Sequence, residues 1–494
     1  MVHYTFAGVS FFKGRGFVEK KKAKTKKMNL FTLIMVSSAF VVSVRNFPTE
    51  AETSLHMIFF ALVAAIGFFI PAALVSAELA TGWPKGGGVY VWIKEAFGDR
   101  LGFFGVCLQW SYMIIGVIAM LYFVGGSLAF VFDPALANNR IFLLVVLLVV
   151  LWGATFISMR GQSLSGLIST IGFLGGVLFP GLLIIILGII YFSGGNPSNI
   201  DLTFSAKNIF PSFKSVSTIV LLVGFMRTFS GIEASSSHAN EVEKPKRNYP
   251  IAILIVVLLG LLLNIFGSIS VAIVVPQKEI SLLSGLMEAF SIFFSKFHMQ
   301  WFVPYMGIFV AIGAIGGIST WIMGPIKGMF AAAKNGELPR FCQKSNKHGA
   351  PRNLLIIQAC LVSLVGGTLL LMPKLNIAFW ISVAIAMMIY FTMYLLMYLA
   401  AIRLRYKEPK VKRAYKIPFG NVGIWVVGIL GLITVVFSYI VAFFPPAQLP
   451  PTHIVLYEIV LISGVVTILS IPFIVYSLKK PSWKVTRKRR SVND

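Results

Sequence analysis

The chain has 494 residues, of which 57% are hydrophobic and 12% are charged, and its mean hydropathy is +0.85. Soluble domains carry roughly a quarter charged residues, so this composition excludes an ordinary soluble protein and predicts a membrane protein. The formal net charge of +26 does not indicate nucleic acid binding, because the basic residues lie in loops beside apolar segments, where anionic lipids attract them. Membrane lipids are therefore expected partners, and nucleic acid is not.

Twelve apolar segments approach or exceed the roughly 20 helical residues that cross the hydrocarbon core of a bilayer. We predict an all-α membrane protein with transmembrane helices at 29–52, 56–80, 101–131, 141–158, 165–192, 216–240, 249–275, 301–333, 353–372, 376–402, 420–445 and 454–477. Most of the 43 Lys and Arg residues fall in the two tails and the even-numbered loops. Because short cytoplasmic loops collect basic residues, both termini are expected in the cytoplasm.

Two of these segments contain residues that a continuous lipid-facing helix excludes. The first segment is interrupted at Arg45-Asn46-Phe47-Pro48, and the sixth is interrupted at 231–238, which includes Gly231 and three serines. Hydrocarbon offers no water to freed backbone groups, so a helix is broken at membrane depth only where protein or a wet cavity satisfies them. Two breaks five segments apart predict a substrate site between inverted repeats.

Three charged residues, Arg45, Arg227 and Glu233, are predicted to lie inside membrane segments. Each costs roughly 2.5 to 3.5 kcal/mol at the bilayer centre, so each is expected to have a partner. One interpretation is structural: Glu233 pairs with an arginine and locks the two broken helices together. The other is functional: a guanidinium binds a carboxylate through two hydrogen bonds, so Arg45 or Arg227 binds a side-chain carboxylate of the substrate.

The chemistry of a broken helix predicts the class of substrate. The N-terminus of a half-helix binds a carboxylate through free N–H groups, and a C-terminus binds an ammonium group through free carbonyls. A small ligand with both groups is an amino acid. We assign Asn46, Phe47 and Pro48 to the carboxylate end, and Gly231 and Ser235 to the ammonium end.

Motifs for other chemistries are weak or lacking in the sequence. The six His and three Cys residues are scattered and form no ligand pair at helical spacing, so no metal site is predicted. The Gly-rich stretch 85–90 lacks the Gly-Lys-Ser/Thr ending of a P-loop, and we interpret it as a turn. Since no arrangement of nucleophile and base is found, we predict no enzyme activity and no cofactor.

Several short sequence motifs occur together in this chain, and the same combination is typical of one family of proteins. They read AELATGW at 77–83, GIEAS at 231–235, HANE at 238–241, NYP at 248–250 and STWIMGP at 319–325. This set resembles the bacterial glutamate/GABA antiporters of the amino acid-polyamine-organocation (APC) superfamily. The resemblance extends from about Met28 to Tyr476.

The resemblance implies a LeuT-like fold of two inverted five-helix repeats with broken helices 1 and 6, plus two additional helices. It also implies that the protein exchanges amino acids by alternating access. The implied divisions are a basic tail at 1–27, a transporter domain at 28–478 (first repeat 28–200, second repeat 201–404, last two helices 405–478) and a basic tail at 479–494. It also implies substrate roles for Glu233, Trp321, Tyr390 and Tyr394. From spacing alone, the two tyrosines lie one turn apart and are equally well explained as packing aromatics.

Three differences from the antiporters are expected to alter the substrate or its regulation. Arg45 stands where the antiporters have a tyrosine, and Gly317 stands where they have an acidic residue, so each difference makes the cavity more positive by one charge. An anionic substrate is then favoured more strongly, or the substrate pair has changed. The segment after Leu478 is short and basic, whereas the antiporters close their cytoplasmic mouth with a long C-terminal segment, so acid gating by such a plug is not expected.

The leading prediction is an amino acid antiporter of the inner membrane, which imports glutamate and exports GABA or another amino acid. Two alternatives stay open. One is a proton-coupled amino acid permease of the same fold, and the other is a channel or a nutrient-sensing receptor. Amino acids and membrane lipids are the predicted partners, and the sequence predicts no particular oligomeric state.

Overall fold

The computed structural model of the chain describes residues 28–84, 86–213, 216–277, 280–281, 284–370, 375–444 and 454–484. Within these ranges the secondary structure is helical, and the β-structure consists of one isolated bridge between Met28 and Val242. The predicted tail at 1–27 lies outside the described residues, as does the tail at 479–494 from residue 485 onward.

Eighteen α-helices occur in the described residues. They are α1 (Leu30–Val41), α2 (Phe47–Ala51), α3 (His56–Ala64), α4 (Ile70–Gly82), α5 (Val89–Phe97), α6 (Asp99–Phe132), α7 (Arg140–Met159), α8 (Gln162–Phe173), α9 (Phe179–Ser193), α10 (Ala206–Ile209), α11 (Val216–Thr228), α12 (Pro245–Val274), α13 (Gly285–Lys296), α14 (Val303–Lys334), α15 (Arg352–Leu370), α16 (Leu375–Lys407), α17 (Gly420–Val441) and α18 (Ile454–Ser477).

Eleven stretches of helix in the described residues are long and apolar enough to cross a membrane, which confirms the predicted all-α membrane protein. Some stretches join two α-helices, as α1 and α2 do in Leu30–Ala51. The ninth predicted segment corresponds to α15, whose apolar part Arg352–Thr368 is shorter than the others. The long helices α6 and α14 pack along each other, and α1, α8 and α16 contact one or both of them.

The first predicted interruption is confirmed, but the break lies earlier than the sequence indicated. Helix α1 ends at Val41, and Val42 and Ser43 adopt extended backbone angles before a 3₁₀ turn over Val44–Asn46. The Ser43 hydroxyl accepts a hydrogen bond from the Arg45 N–H at 3.3 Å and so caps that turn. Pro48 lies in the first turn of α2, where its missing N–H costs nothing, so the proline marks the start of the second half-helix.

The second interruption follows α11 and is also confirmed. Helix α11 ends at Thr228, and a 3₁₀ segment over Ile232–Glu241 begins after Gly231. Gly231 has a φ of +110°, a left-handed conformation that only glycine adopts without strain. A Cβ atom at this position would lie 2.6 Å from Cζ2 of Trp321, so glycine is required for space as well.

Glycines allow two helices to touch through their backbones. A Cβ atom on Gly172 of α8 would lie 2.8 Å from the Cα of Gly316 in α14. On Gly176, in the π-helical turn between α8 and α9, it would lie 2.1 Å from the backbone nitrogen of Gly313. Such distances leave no room for any side chain, so the contact between α8 and α14 depends on these four glycines.

Buried ion pairs join α4 to the end of α16 and to the segment that precedes α17. The Glu78 carboxylate accepts two hydrogen bonds from the Arg405 guanidinium, and Arg413 Nε lies 3.3 Å from Glu78 Oε1. The backbone N–H of Ile417 donates to Glu78 Oε2 at 2.9 Å. All three charged side chains are at most 3% exposed, so water does not stabilise these charges. The ion pairs with Glu78 offset the cost of burying them.

Candidate functional site

The two broken helices face a common cavity of about 40 Å³. Its wall consists of residues from α1 and the turn after it, from α6, from the end of α11 and from α14. They are Ala39, Phe40, Val41, Ser43, Arg45, Asn46, Tyr112, Met113, Gly116, Val117, Met120, Arg227, Thr228, Ser230 and Trp321. A volume of this size holds a few water molecules, so a whole amino acid requires the wall to move.

Two arginines give this cavity a positive charge. Arg45 comes from the 3₁₀ turn of the first break, and Arg227 comes from the last turn of α11. Within the described residues, the Arg45 Nε and Nη1 atoms are buried and have no hydrogen-bond partner. A buried guanidinium N–H group without an acceptor costs more than a kilocalorie per mole, and a carboxylate in the cavity would supply that acceptor.

Glu233 lies beside the cavity, and uncharged side chains rather than an arginine bind its carboxylate. Its carboxylate accepts hydrogen bonds from Gln109 Nε2 at 3.1 Å, from the Tyr394 hydroxyl at 2.5 Å and from the Tyr390 hydroxyl. No ion pair of Glu233 occurs among the described residues. Three neutral donors therefore solvate this buried carboxylate, and the arginines remain directed to the cavity.

Two tyrosines of α16 form hydrogen bonds in this region: Tyr390 and Tyr394 both bind Glu233, and Tyr394 also binds the backbone of the second break. The Tyr394 hydroxyl accepts a hydrogen bond from the Gly231 N–H at 3.0 Å and donates its own hydrogen to Glu233. It thereby satisfies a backbone group that the break leaves free. The ring of Tyr390 stacks on the ring of Tyr112 with centroids 3.7 Å apart, and Tyr112 lines the cavity.

Replacing Tyr394 with phenylalanine is expected to destabilise the second break. The variant leaves the buried Gly231 N–H without its acceptor and removes a donor from Glu233, and each loss costs about 1 to 3 kcal/mol. A lower apparent melting temperature of the purified protein and slower substrate exchange would measure the effect. Tyr398→Phe is the matched control, because its hydroxyl makes a hydrogen bond of only 3.4 Å, to the Phe68 carbonyl. Equal melting temperatures for both variants would contradict the role of Tyr394.

Trp321 lines the cavity and packs against Gly231 of the second break. Its indole N–H donates to the Phe40 carbonyl at 3.1 Å, which satisfies a carbonyl near the end of α1. The ring packs edge-on against Phe40 and Tyr112, with centroids 5.3 and 5.6 Å away. Since Gly231 leaves no gap beside this ring, Trp321 fixes the spacing between the two broken helices.

The structure brings together some of the predicted site residues and separates others. Arg45, Asn46, Arg227 and Trp321 line the cavity. The adjoining network contains Gly231, Glu233, Tyr390 and Tyr394.

Three predicted residues lie away from the cavity. The Phe47 ring packs against Gly267 of α12, and the Pro48 ring packs against Gly285 of α13. The Ser235 hydroxyl donates to the Ile232 carbonyl and shares a hydrogen bond with the Tyr249 hydroxyl. These contacts hold the half-helices in place, so Phe47, Pro48 and Ser235 have structural partners here.

Sequence reasoning missed the contributions of α6 and of Ser230. Tyr112 and Ser230 both line the cavity, and their hydroxyl oxygens lie 2.9 Å apart. Gln109, one turn before Tyr112, binds Glu233. A glutamine in the middle of a long apolar helix was the signal available, since a buried amide needs a polar partner.

The comparisons with known proteins agree with this architecture. The sequence profile of the amino acid permease family matches residues 28–466. A glutamate/gamma-aminobutyrate antiporter of Lactococcus lactis is 36% identical over 459 residues, which cover 92% of this chain and 91% of the relative. An uncharacterized transporter of Legionella pneumophila is 35% identical, with 91% and 96% covered. A probable agmatine/putrescine antiporter of Lactococcus lactis is 22% identical, with 85% and 88% covered.

A helical membrane protein with two broken helices around a charged internal cavity is a multi-pass solute transporter. The chain belongs to the amino acid permease family, within the APC superfamily, and is similar to the glutamate/GABA antiporters. The predicted family is therefore confirmed. So is the prediction that the protein is not an enzyme, because this family consists of transporters.

Proposed function

We propose that this protein is an amino acid antiporter of the inner membrane that exchanges external glutamate for internal GABA or another amino acid by alternating access. The relatives named as glutamate/gamma-aminobutyrate antiporters support this assignment over more than nine-tenths of the chain. The observation that carries the choice of an anionic substrate is the buried, unpartnered edge of the Arg45 guanidinium in the cavity.

Charge and geometry suggest how glutamate is held. Arg45 and Arg227 line one cavity, and their like charges repel each other until an anion lies between them. A side-chain carboxylate in that position accepts from Arg45, with Asn46 as an additional polar neighbour. The ammonium group then faces the C-terminal end of α1, which carries a partial negative charge. Tyr112 and Trp321 close the cavity on the side of Glu233.

The proposed architecture is the LeuT-like arrangement of twelve helices, with a first repeat at 28–200, an inverted second repeat at 201–404 and two additional helices at 405–478. Breaks after α1 and α11 support it, since they lie at corresponding places in the two halves. Both termini are proposed to lie in the cytoplasm. Alternating access then opens the small cavity to one side of the membrane at a time.

Removing either arginine is expected to slow glutamate exchange by about tenfold or more. A hydrogen bond to a charged group contributes about 1.5 to 3 kcal/mol, and 1.4 kcal/mol corresponds to a factor of ten. The measurement is uptake of labelled glutamate into proteoliposomes that contain unlabelled glutamate or GABA, for the native protein, Arg45→Ala and Arg227→Ala. Normal exchange by both variants would overturn the anion site.

Two controls accompany this experiment. Arg352→Ala removes an exposed arginine at the start of α15, and we expect its exchange rate to equal the native rate. Proteoliposomes without internal amino acid distinguish an antiporter from a permease, because an antiporter accumulates little label in them. Strong uptake into such vesicles would contradict exchange while leaving the arginine site intact.

A further inference from the structure

We infer that Glu50 is a proton-binding site of this transporter, separated from the substrate cavity by Thr228. Glu50 lies on α2, the second half of the first broken helix, and is 2% exposed. Within the described residues its Oε1 atom is buried and has no hydrogen-bond partner. This acidic group was not among the charges that the sequence analysis assigned to the site.

The neighbours of Glu50 are hydroxyl groups rather than cations. The Ser268 hydroxyl of α12 donates to Oε2 at 3.2 Å, and the Thr228 side chain is the second polar group beside the carboxyl. An ionised carboxylate that is removed from water without a cation costs several kcal/mol. Binding a proton removes that cost, whereas two hydroxyl groups and one carboxyl supply too few oxygens for a metal ion.

No ion pair of Glu50 occurs among the described residues of the elements that surround it. The elements packed against α2 are the Val44–Asn46 turn, α11, α12 and α13. Their charged or titratable residues are Arg45, Arg227, Lys246, Arg247, Tyr249, Glu288 and Lys296. Among the described side chains of this set, none forms an ion pair or a hydrogen bond with Glu50, and Glu288 accepts instead from Ser284 at 2.7 Å.

The position of Glu50 links proton binding to substrate binding. Thr228 contacts Glu50 and also lines the cavity that contains Arg45 and Arg227. The positive potential of the two arginines opposes a proton at Glu50, and an anion bound between them cancels part of that potential. An anionic substrate and a proton at Glu50 therefore bind cooperatively, and each increases the affinity for the other.

Two measurements test this inference on the purified full-length protein. The first is an infrared titration between about pH 5 and about pH 8 without substrate, which detects the C=O band of protonated carboxyl groups. We expect Glu50→Gln to lose one titrating carboxyl relative to the native protein. Glu288→Gln, the control, should retain the native titration of Glu50. An identical titration of Glu50→Gln and the native protein would overturn the proton site.

The second measurement follows proton uptake when glutamate is added to weakly buffered protein at about pH 6.5, where the glutamate side chain is itself fully ionised. The native protein should take up protons on binding glutamate, and Glu50→Gln should take up none. Equal uptake by both would overturn the coupling. This second measurement rests on the proposed function, but the infrared titration does not, so a protein that fails to bind glutamate still reports on Glu50.

A second variant protects the test against a folding defect in Glu50→Gln. Ser268→Ala removes the donor that stabilises the ionised form of Glu50 and keeps the carboxyl itself. We expect its carboxyl band to persist and its titration midpoint to move to higher pH. An unchanged midpoint would contradict the assignment of the titrating group to Glu50.

Discussion

Gly231→Ala is expected to cause the largest loss of transport among the single substitutions considered. A left-handed φ costs roughly 1 to 2 kcal/mol for a residue with a side chain, and the new Cβ would lie 2.6 Å from Trp321 Cζ2 and 2.9 Å from Cη2. Trp321 is bound to Phe40 and cannot move without breaking that hydrogen bond. Exchange of labelled amino acid by proteoliposomes should fall by at least about tenfold, and the apparent melting temperature should fall with it.

Gly224→Ala provides the matched control for this substitution. Gly224 lies on α11, about one turn before the helix ends at Thr228, and apart from the backbone of its own helix no described atom lies within 4 Å of a Cβ atom built on it. Alanine is favoured over glycine inside a helix by about 1 kcal/mol, so this variant should keep native exchange and at least native stability. If Gly231→Ala transports as well as Gly224→Ala, the second break does not require its left-handed turn.

The second large effect is expected when Glu78 is replaced by glutamine. The substitution leaves the buried Arg405 guanidinium without its carboxylate partner and removes one of the acidic neighbours of Arg413. Breaking a buried ion pair from one side costs about 3 to 5 kcal/mol. The Ile417 N–H also loses its carboxylate acceptor. The apparent melting temperature of the purified variant should be far below that of the native protein, since α4 is no longer joined to α16.

An exposed ion pair shows whether this effect depends on burial. Lys94 Nζ lies 2.9 Å from Asp99 Oδ1, and the two side chains are 29% and 43% exposed. Exposed pairs contribute about 0 to 1 kcal/mol, so Asp99→Asn should melt close to the native protein. Similar melting temperatures for Glu78→Gln and Asp99→Asn would mean that the Glu78 pair contributes no more than a surface pair.

The sequence was sufficient to find both helix breaks but not to place the first one. Arg45 and Pro48 are unusual in an apolar segment and drew attention to the correct turn. The helix nevertheless ends at Val41, because Ser43 caps the start of a new 3₁₀ turn and Pro48 is favourable in the first turn of α2. A proline within an apolar run thus indicates that a helix is interrupted nearby, while the capping residue gives the position.

The partners of buried charges were harder to predict than the charges themselves. One of the two interpretations of the sequence paired Glu233 with an arginine, since opposite charges in a membrane protein commonly pair. Its actual partners, Gln109, Tyr390 and Tyr394, come from helices far away in the chain. Sequence spacing defines neighbours along one helix only, and contacts between helices follow from packing that a single sequence does not display.

Two acidic residues were overlooked because they lie toward the ends of predicted segments. Glu50 and Glu78 both fall inside the segments predicted at 29–52 and 56–80, where an end residue is usually hydrated. In the structure both are 2% exposed. Glu78 has two arginine partners and Glu50 has none among the described residues, so their partners, rather than their equal burial, give these two residues different roles.

The glycine contact between α8 and α14 has a consequence for the transport cycle. Helices that are separated by long side chains can slide when those side chains change rotamer. Here backbone meets backbone at Gly172, Gly176, Gly313 and Gly316, and any sliding would push bulkier neighbours into space that admits no Cβ atom. We therefore expect α8 and α14 to move together as one rigid unit, and the conformational changes that expose the cavity to either side of the membrane to occur in the segments around this pair.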